Sequence, residues 1–529
     1  MAASEHEPAK EGRGASERSD SARERWILVG LLLFTLVVRG TVLWLMRGNL
    51  EQDPDAYREI AENLIVQGEF ALGNGEFALG KLTSQTGDWH PRPTAYRPPL
   101  YPVVLSNLPA ADRQHLSLVK IAVLHLMLGV ATVWLTWATT RRVGQAAVSR
   151  AGPPSSSHEN WWAVGRFAAS SHPIGMWPPV IAGLIVACDP ILLNQQTLVM
   201  TETLAAFLAI LSLWCLARFD GARTPFNAAL AGGAIGLAVL CRPTFLPWLG
   251  LVAGAMLLMR SHRSEVRGQK AERDWLADAG WRVANVAGLS LVAAVVVSPW
   301  AIRNYRVFGK PIVTTTHGGY TFYLANNEWF YDWLRDDRTG LPWTPQLGSG
   351  FRNVLWFGST DGEIGYDRWC YADATGTIQQ RPYDFAISCL YRLCQLWSPL
   401  PNQLTWYESL SKWLLRYATC AWYCGVYAMA GIGIWGLSVA QGTPRRAFPT
   451  ASWSALPAAM VRAVMVLFRP PWVWGVLLCV AFTAVHTFYW TNLRMRAPLM
   501  PFVAMVAVAA FKTSKVQGPM SNVDEMQVS

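Results

Sequence analysis

The sequence predicts an all-α polytopic membrane protein, a bundle of about ten transmembrane helices with two large extracytoplasmic loops. Three observations predict it. Charged residues make up 15% of the chain against 52% hydrophobic, where a soluble domain carries about 25% charged residues. Apolar runs of near-span length recur from one end to the other. Basic residues cluster between alternate runs, as the positive-inside rule expects of cytoplasmic loops. A mean hydropathy of +0.19 and 27 tryptophans, whose rings favour the membrane–water interface, point the same way.

The elements follow in chain order. Residues 1–25 are polar and read as a disordered cytoplasmic tail. The next run is too long for a signal peptide and lacks a small-residue cleavage site, so it reads as the first span. The apolar runs lie at about 26–46, 116–138, 177–197, 203–218, 227–241, 244–259, 283–300, 417–438, 472–490 and 497–512. The pair around Arg242-Pro243 reads either as two spans or as one re-entrant hairpin. Alternation puts Arg23 and Arg25, Arg141 and Arg142, Arg218 and Arg223, the basic stretch 260–282, Arg445 and Arg446, and both termini in the cytoplasm.

The predicted organisation is an N-terminal transmembrane module over 26–300 with a first external loop at 47–115, a second extracytoplasmic loop at 301–416, C-terminal transmembrane helices over 417–512, and a cytoplasmic tail at 513–529. Residues 382–398 read as an interfacial helix. The stretch 143–176, with Pro153-Pro154-Ser155-Ser156-Ser157, reads as a linker.

A net charge of +10 in a soluble chain would suggest nucleic acid. Here the charge sits in short loops, with no basic stripe interleaved with stacking aromatics, and nucleic acid is discounted as a partner; anionic membrane lipids remain. The nine cysteines lack metal-ligand spacing. Those in and near the second loop, Cys370, Cys389, Cys394, Cys420 and Cys424, are compatible with a disulfide if that loop is extracytoplasmic.

The chemistry-bearing residues collect at expected external span ends. Asp53-Pro54-Asp55 precedes a short amphipathic stretch, so either carboxylate serves as a helix cap or as a base. Tyr96-Arg97-Pro98-Pro99 ends the same loop, and its stiff prolines hold a guanidinium suited to phosphate near the membrane surface. Glu202 opens an apolar run, where an ionisable group faces a partner or a cavity. Arg303 and Arg496 read as phosphate ligands or as interfacial anchors, and Arg242 as a phosphate ligand if its hairpin reaches the outer face. Arg39, inside the first run, reads as snorkelling to the outer surface. The stretch Thr314-Thr315-Thr316-His317-Gly318-Gly319-Tyr320 reads as a Gly-rich turn or as part of a cleft.

These motifs in this order resemble the GT-C superfamily of membrane glycosyltransferases, in its family 39-like branch, which includes protein O-mannosyltransferases and the lipid A aminoarabinose transferase. The resemblance spans about residues 26–512 and rests on Asp53 four before Tyr57, Arg97-Pro98-Pro99, Met200-Thr201-Glu202, Gly236-Leu237-Ala238 with Arg242-Pro243, Pro299-Trp300 with Arg303-Asn304-Tyr305, and Arg494-Met495-Arg496-Ala497-Pro498. Pro54 stands where the family has Glu, with Asp55 one step later.

The resemblance implies one-step inverting transfer of a sugar from a polyprenyl-phosphate carrier to an acceptor hydroxyl on a glycan, lipid or protein. It implies Asp53 as base by register, with Asp55 the alternative. Glu202 would orient the acceptor or pair with an arginine. Arg97 would lead the donor phosphate ligands, joined by Tyr96, Arg242, Arg303 and Arg496. No metal ligand set stands out, although the acidic pair is compatible with a divalent cation. The implied location is a bacterial inner membrane, with the site facing the periplasm or exterior. The rival reading is a transporter or lipid flippase, which would carry inverted repeats and ionisable residues deep in its spans.

Overall fold

The structure is a computed structural model and describes residues 9–72, 91–108, 115–150, 176–259, 275–336, 360–403, 405, 407–442, 465 and 467–512. The chain is an all-α polytopic membrane protein. Helix α1 (Ala9–Leu45) leads to α2 (Tyr57–Gln67) and α3 (Leu100–Ser106) in the first loop, then α4 (Leu118–Arg150). Next come α5 (Trp177–Ala187), α6 (Pro190–Gln195), α7 (Glu202–Gly221), α8 (Pro225–Cys241), α9 (Phe245–Leu258) and α10 (Trp275–Phe308). The second loop carries α11 (Gly318–Ala325), α12 (Glu328–Asp336), α13 (Thr360–Gln380) and α14 (Pro382–Trp397). Helices α15 (Leu410–Gly442), α16 (Val473–Phe488) and α17 (Met500–Ala507) follow.

Among the described residues, five segments are long and apolar enough to cross a membrane: Ala22–Leu45, Leu118–Gly144, Glu202–Gly221, Ala277–Phe308 and Leu410–Leu437. Helices α5, α8, α9 and α16 are apolar but shorter. The last apolar run folds as a composite of 3-10 turns at Leu493–Leu499 and Ala509–Lys512 around α17.

Several boundaries differ from the sequence reading. Residues 9–25, expected as a disordered tail, extend α1, because Ala, Glu and Arg are good helix formers and growth from an existing helix needs no new nucleus. Glu24 on that extension pairs with Arg141 at 2.9 Å. Helix α10 runs past the expected end at 300 to Phe308, so Arg303 and Asn304 sit on its last turns. The run 177–197 is two helices. Pro190 cannot continue α5, and Asp189 caps α6 by accepting from Leu192 N–H at 3.0 Å. The linker core at 151–175 and the tail at 513–529 lie outside the described residues.

Arg39 does not snorkel. It is 1% exposed and donates to the Gln196 side chain at 3.0 Å and to Val186 O at 2.8 Å. The reason is geometric: Gly129 on α4 leaves the space the guanidinium fills, since a Cβ there would lie 2.8 Å from Arg39 Nη1. All nine cysteines are free thiols.

Helices α8 and α10 touch backbone to backbone. A Cβ on Gly232 would lie 2.1 Å from Leu289 O, so only glycine allows the approach. The two long loops are also joined. A two-stranded ribbon pairs β1 (Ala71–Leu72) with β2 (Arg92–Pro93), and Thr316 N–H then donates to Ala95 O at 3.0 Å. That bond seats the end of the first loop on the start of the second.

Candidate active site

One cavity of about 840 Å³ lies where the two loops meet the helix ends. Its wall includes Asp53, Asp55, Tyr96, Arg97, Glu202 and Arg242. Each arrives from a different local device. Asp53 and Asp55 precede α2, and between them and the helix Ala56 adopts φ 55°, the left-handed region. It is the one non-glycine residue with positive φ among the described residues, a conformation that disfavours any side chain. Arg242 leaves α8 in an extended conformation, as a residue before proline must, and lies at the α8–α9 junction. Glu202 is the first residue of α7.

The two aspartates differ. Asp53 Oδ2 accepts from Arg58 N–H at 2.9 Å and Glu59 N–H at 3.0 Å, which caps α2. Its Oδ1 is buried and accepts no hydrogen bond. Burial raises the proton affinity of Asp53, against those backbone bonds and the Arg58 charge. Asp55 instead accepts from Arg97 Nη2 at 2.9 Å. Burial pushes its pKa up, but the charges of Arg97, Arg494 and Arg242 outweigh it and hold the carboxyl below its ordinary value.

Arg97 is held on several sides. Its guanidinium lies 5.0 Å from the Tyr96 ring and 5.7 Å from the Tyr57 ring, and Nη1 stands 3.3 Å from His317 Nε2. Burial and the Arg97 charge push His317 well below the usual histidine range, so the ring is neutral. With Nε2 facing a donor, the proton belongs on Nδ1, which is buried without a partner. Beneath, Glu363 on α13 accepts from Thr94 Oγ1 at 2.8 Å, Ala95 N–H at 2.9 Å and Thr316 Oγ1. One carboxylate thus fixes the loop segments that carry Arg97 and His317. One turn along α13, Asp367 accepts from Gly319 N–H at 2.6 Å, and burial pushes its pKa up to about 6.

Opposite, Glu202 is 2% exposed and shared by two cations: Arg242 Nη1 at 3.1 Å and Arg494 Nε at 3.6 Å. Two guanidiniums against one carboxylate leave local positive charge beside the cavity, a setting for a phosphate. Tyr320, Tyr371, Tyr489 and Trp490 form an aromatic part of the wall, suited to the apolar face of a sugar ring.

Two expected phosphate ligands lie elsewhere. Arg303 donates to Thr94 O at 2.7 Å and Phe70 O at 2.8 Å, tying down the ribbon of the first loop. Arg496 is fully buried, donates to Leu396 O and Ser398 O, and lies 4.2 Å from the Tyr423 ring. Arg494, two residues earlier in the same motif, faces the cavity in its place, because the 3-10 turn projects the two side chains to different sides. The sequence reading passed over Arg494, Glu363 and Tyr371. Arg494 was accessible from the Arg-x-Arg pattern, whereas Glu363 and Tyr371 lie in no motif. Among the described residues no group of three His, Cys, Asp or Glu side chains could hold a metal ion.

No family model matches the chain, and no curated protein matches it. Among solved structures it is similar to the archaeal oligosaccharyltransferase AglB from Archaeoglobus fulgidus in complex with an inhibitory peptide and a dolichol-phosphate, at 15% identity and a TM-score of 0.46. It is similar to the same organism's oligosaccharyltransferase in the apo form, also at 15% and 0.46, and to that enzyme tethered to an acceptor peptide, at 14% and 0.43. The likeness covers 92% of this chain in each case and 50%, 50% and 49% of theirs, so the chain spans about half the length of those proteins.

Proposed function

We propose that this protein is a GT-C-like membrane glycosyltransferase whose cavity takes a polyprenyl-phosphate sugar and an acceptor hydroxyl. The observation that carries the reading is the pairing, across one cavity, of a carboxylate with a free buried oxygen, Asp53 Oδ1, and two guanidiniums, Arg242 and Arg494, sharing Glu202. The motif order described above supplies the sugar chemistry. The family 39-like branch, the extracytoplasmic face and a bacterial inner membrane belong to the same proposal.

In this reading Asp53 is the base. Its Oδ2 is anchored by two backbone amides, which aims Oδ1, and raised proton affinity suits it to take a proton. The acceptor oxygen loses its proton to Asp53 and bonds to the anomeric carbon from the face opposite the phosphate. The bond from that carbon to the phosphate oxygen breaks, and its electron pair stays on the phosphate. The added charge develops beside Arg242 and Arg494, which are already in place and need no reorganisation. Asp55 holds Arg97 toward the same cavity, and neutral His317 offers Nδ1–H to a substrate oxygen.

The test is transfer from labelled polyprenyl-phosphate sugars to membrane and envelope extracts, with the protein in nanodiscs. Wild type should move label to a product. Asp53→Asn should lose about a hundredfold or more in turnover while donor binding persists. Wild-type turnover in Asp53→Asn would remove Asp53 from the chemistry. Absence of both donor binding and transfer in wild type would remove the glycosyltransferase reading.

A further inference from the structure

Helix α14 in the second loop has an inverted burial pattern. Its exposed residues are Pro382, Tyr383, Ala386, Ile387, Leu390, Leu393 and Cys394, with no charge among them. Its buried positions are Asp384, Ser388, Arg392 and Leu396. A helix on a water-facing surface does the reverse. The inward polar groups are all engaged. Asp384 pairs with Arg335 at 2.6 Å and Arg381 at 2.7 Å. Arg392 donates to Thr487 O at 2.7 Å and Ala325 O at 2.5 Å. Ser388 Oγ donates to Phe385 O at 2.7 Å.

The two ends of α14 differ in polarity. The first carries the Arg335, Arg381, Asp332 and Asp384 cluster. The second runs into the bundle. Trp397 Nε1 donates to Thr483 on α16 at 3.2 Å, and the carbonyls of Leu396 and Ser398 accept from Arg496 at 3.0 and 2.5 Å. A helix C-terminus needs partners for its last carbonyls, and in hydrocarbon water cannot provide them. A fully buried arginine on the carbonyls of one helix end is the device such a setting calls for.

We infer that α14 dips into the bilayer, with its exposed apolar face resting on lipid acyl chains and Arg496 sealing its inner end. Phe385 stacks on Phe488 of α16 at 6.2 Å between ring centroids, and Phe488 and Val480 are themselves exposed on that apolar helix. The face of α14 therefore extends the apolar surface of a bundle helix. A protein partner would call for about one hydrogen bond per 100–200 Å², and apart from the Tyr383 hydroxyl and the Cys394 thiol this face has no side chain to supply them. Because Arg392 also fixes the end of α11, which carries Tyr320 and Leu324 on the cavity wall, and the end of α16, which leads to Tyr489 and Trp490 there, α14 links the membrane surface to the site.

The test uses the unaltered full chain in nanodiscs made with a lipid bearing a mid-chain diazirine, followed by peptide mass mapping. A parallel sample receives hydroxyl-radical footprinting. Adducts on Ile387 and Leu390 should match those on Leu414 and Leu415 of α15. Oxidation of Tyr383 and Leu390 should fall to about a tenth of its value in the denatured chain. Strong oxidation without lipid adducts would place this face in water. Protection from both reagents would mean that protein covers it. Either result overturns the inference.

Discussion

Asp53 and Asp55 stand two residues apart and have opposite surroundings. Burial dominates at Asp53, while the neighbouring cations prevail at Asp55. An unperturbed aspartate titrates at about 3.9. A base must be ionised, so activity falls as pH drops through its pKa. With Asp53 as the base, the acid limb of kcat/KM lies above that ordinary value. With Asp55 it lies below. A pH–rate profile therefore separates two residues that the sequence left as alternatives. The geometry of Asp53 shows its capping reading, with one oxygen on the first amides of α2, and leaves the other oxygen without a hydrogen bond.

Between the elements, the interruptions position the site. The turn at Arg242-Pro243 and the left-handed Ala56 direct side chains that a continuous helix would not bring to the cavity. The first was legible, because a residue before proline leaves the helical region. The second was not, because nothing in an alanine signals positive φ. Packing between helices was equally hidden. Replacing Gly232 with Val should cost about 1–3 kcal/mol, since Leu289 O occupies the space. Replacing Gly250 with Ala, where nothing lies within 4 Å, should cost nothing. Thermal unfolding of the two variants in one detergent checks this, and equal midpoints would contradict the close α8–α10 contact.

Across the whole molecule, the junctions that span alternation assigned to one side meet at one cavity. The first loop, the start of α7, the α8–α9 turn, the second loop and the 493–499 turn all contribute. Contacts among segments assigned to the other side, such as Glu24 with Arg141 and Trp474 with Asp220, gather separately. Apolar run length and basic clusters carried this much, because burial in a bilayer imposes them on the sequence directly. The assignment of individual arginines did not follow. Arg494 and Arg496 look alike in sequence, and only the turn between them decides which faces the cavity and which seals α14. Long-range partners such as Glu363 and Thr94, 269 residues apart, leave no local pattern.

We propose that this cavity holds the phosphate of a lipid-linked sugar. A photoreactive polyprenyl-phosphate sugar, incubated with the protein in nanodiscs and mapped by mass spectrometry, tests it most directly. Adducts are expected within 242–247 or 493–495 that unlabelled donor displaces and that fall about tenfold or more in Arg242→Ala and Arg494→Ala. Adducts confined to other segments, or cavity adducts unchanged in both variants, would contradict it.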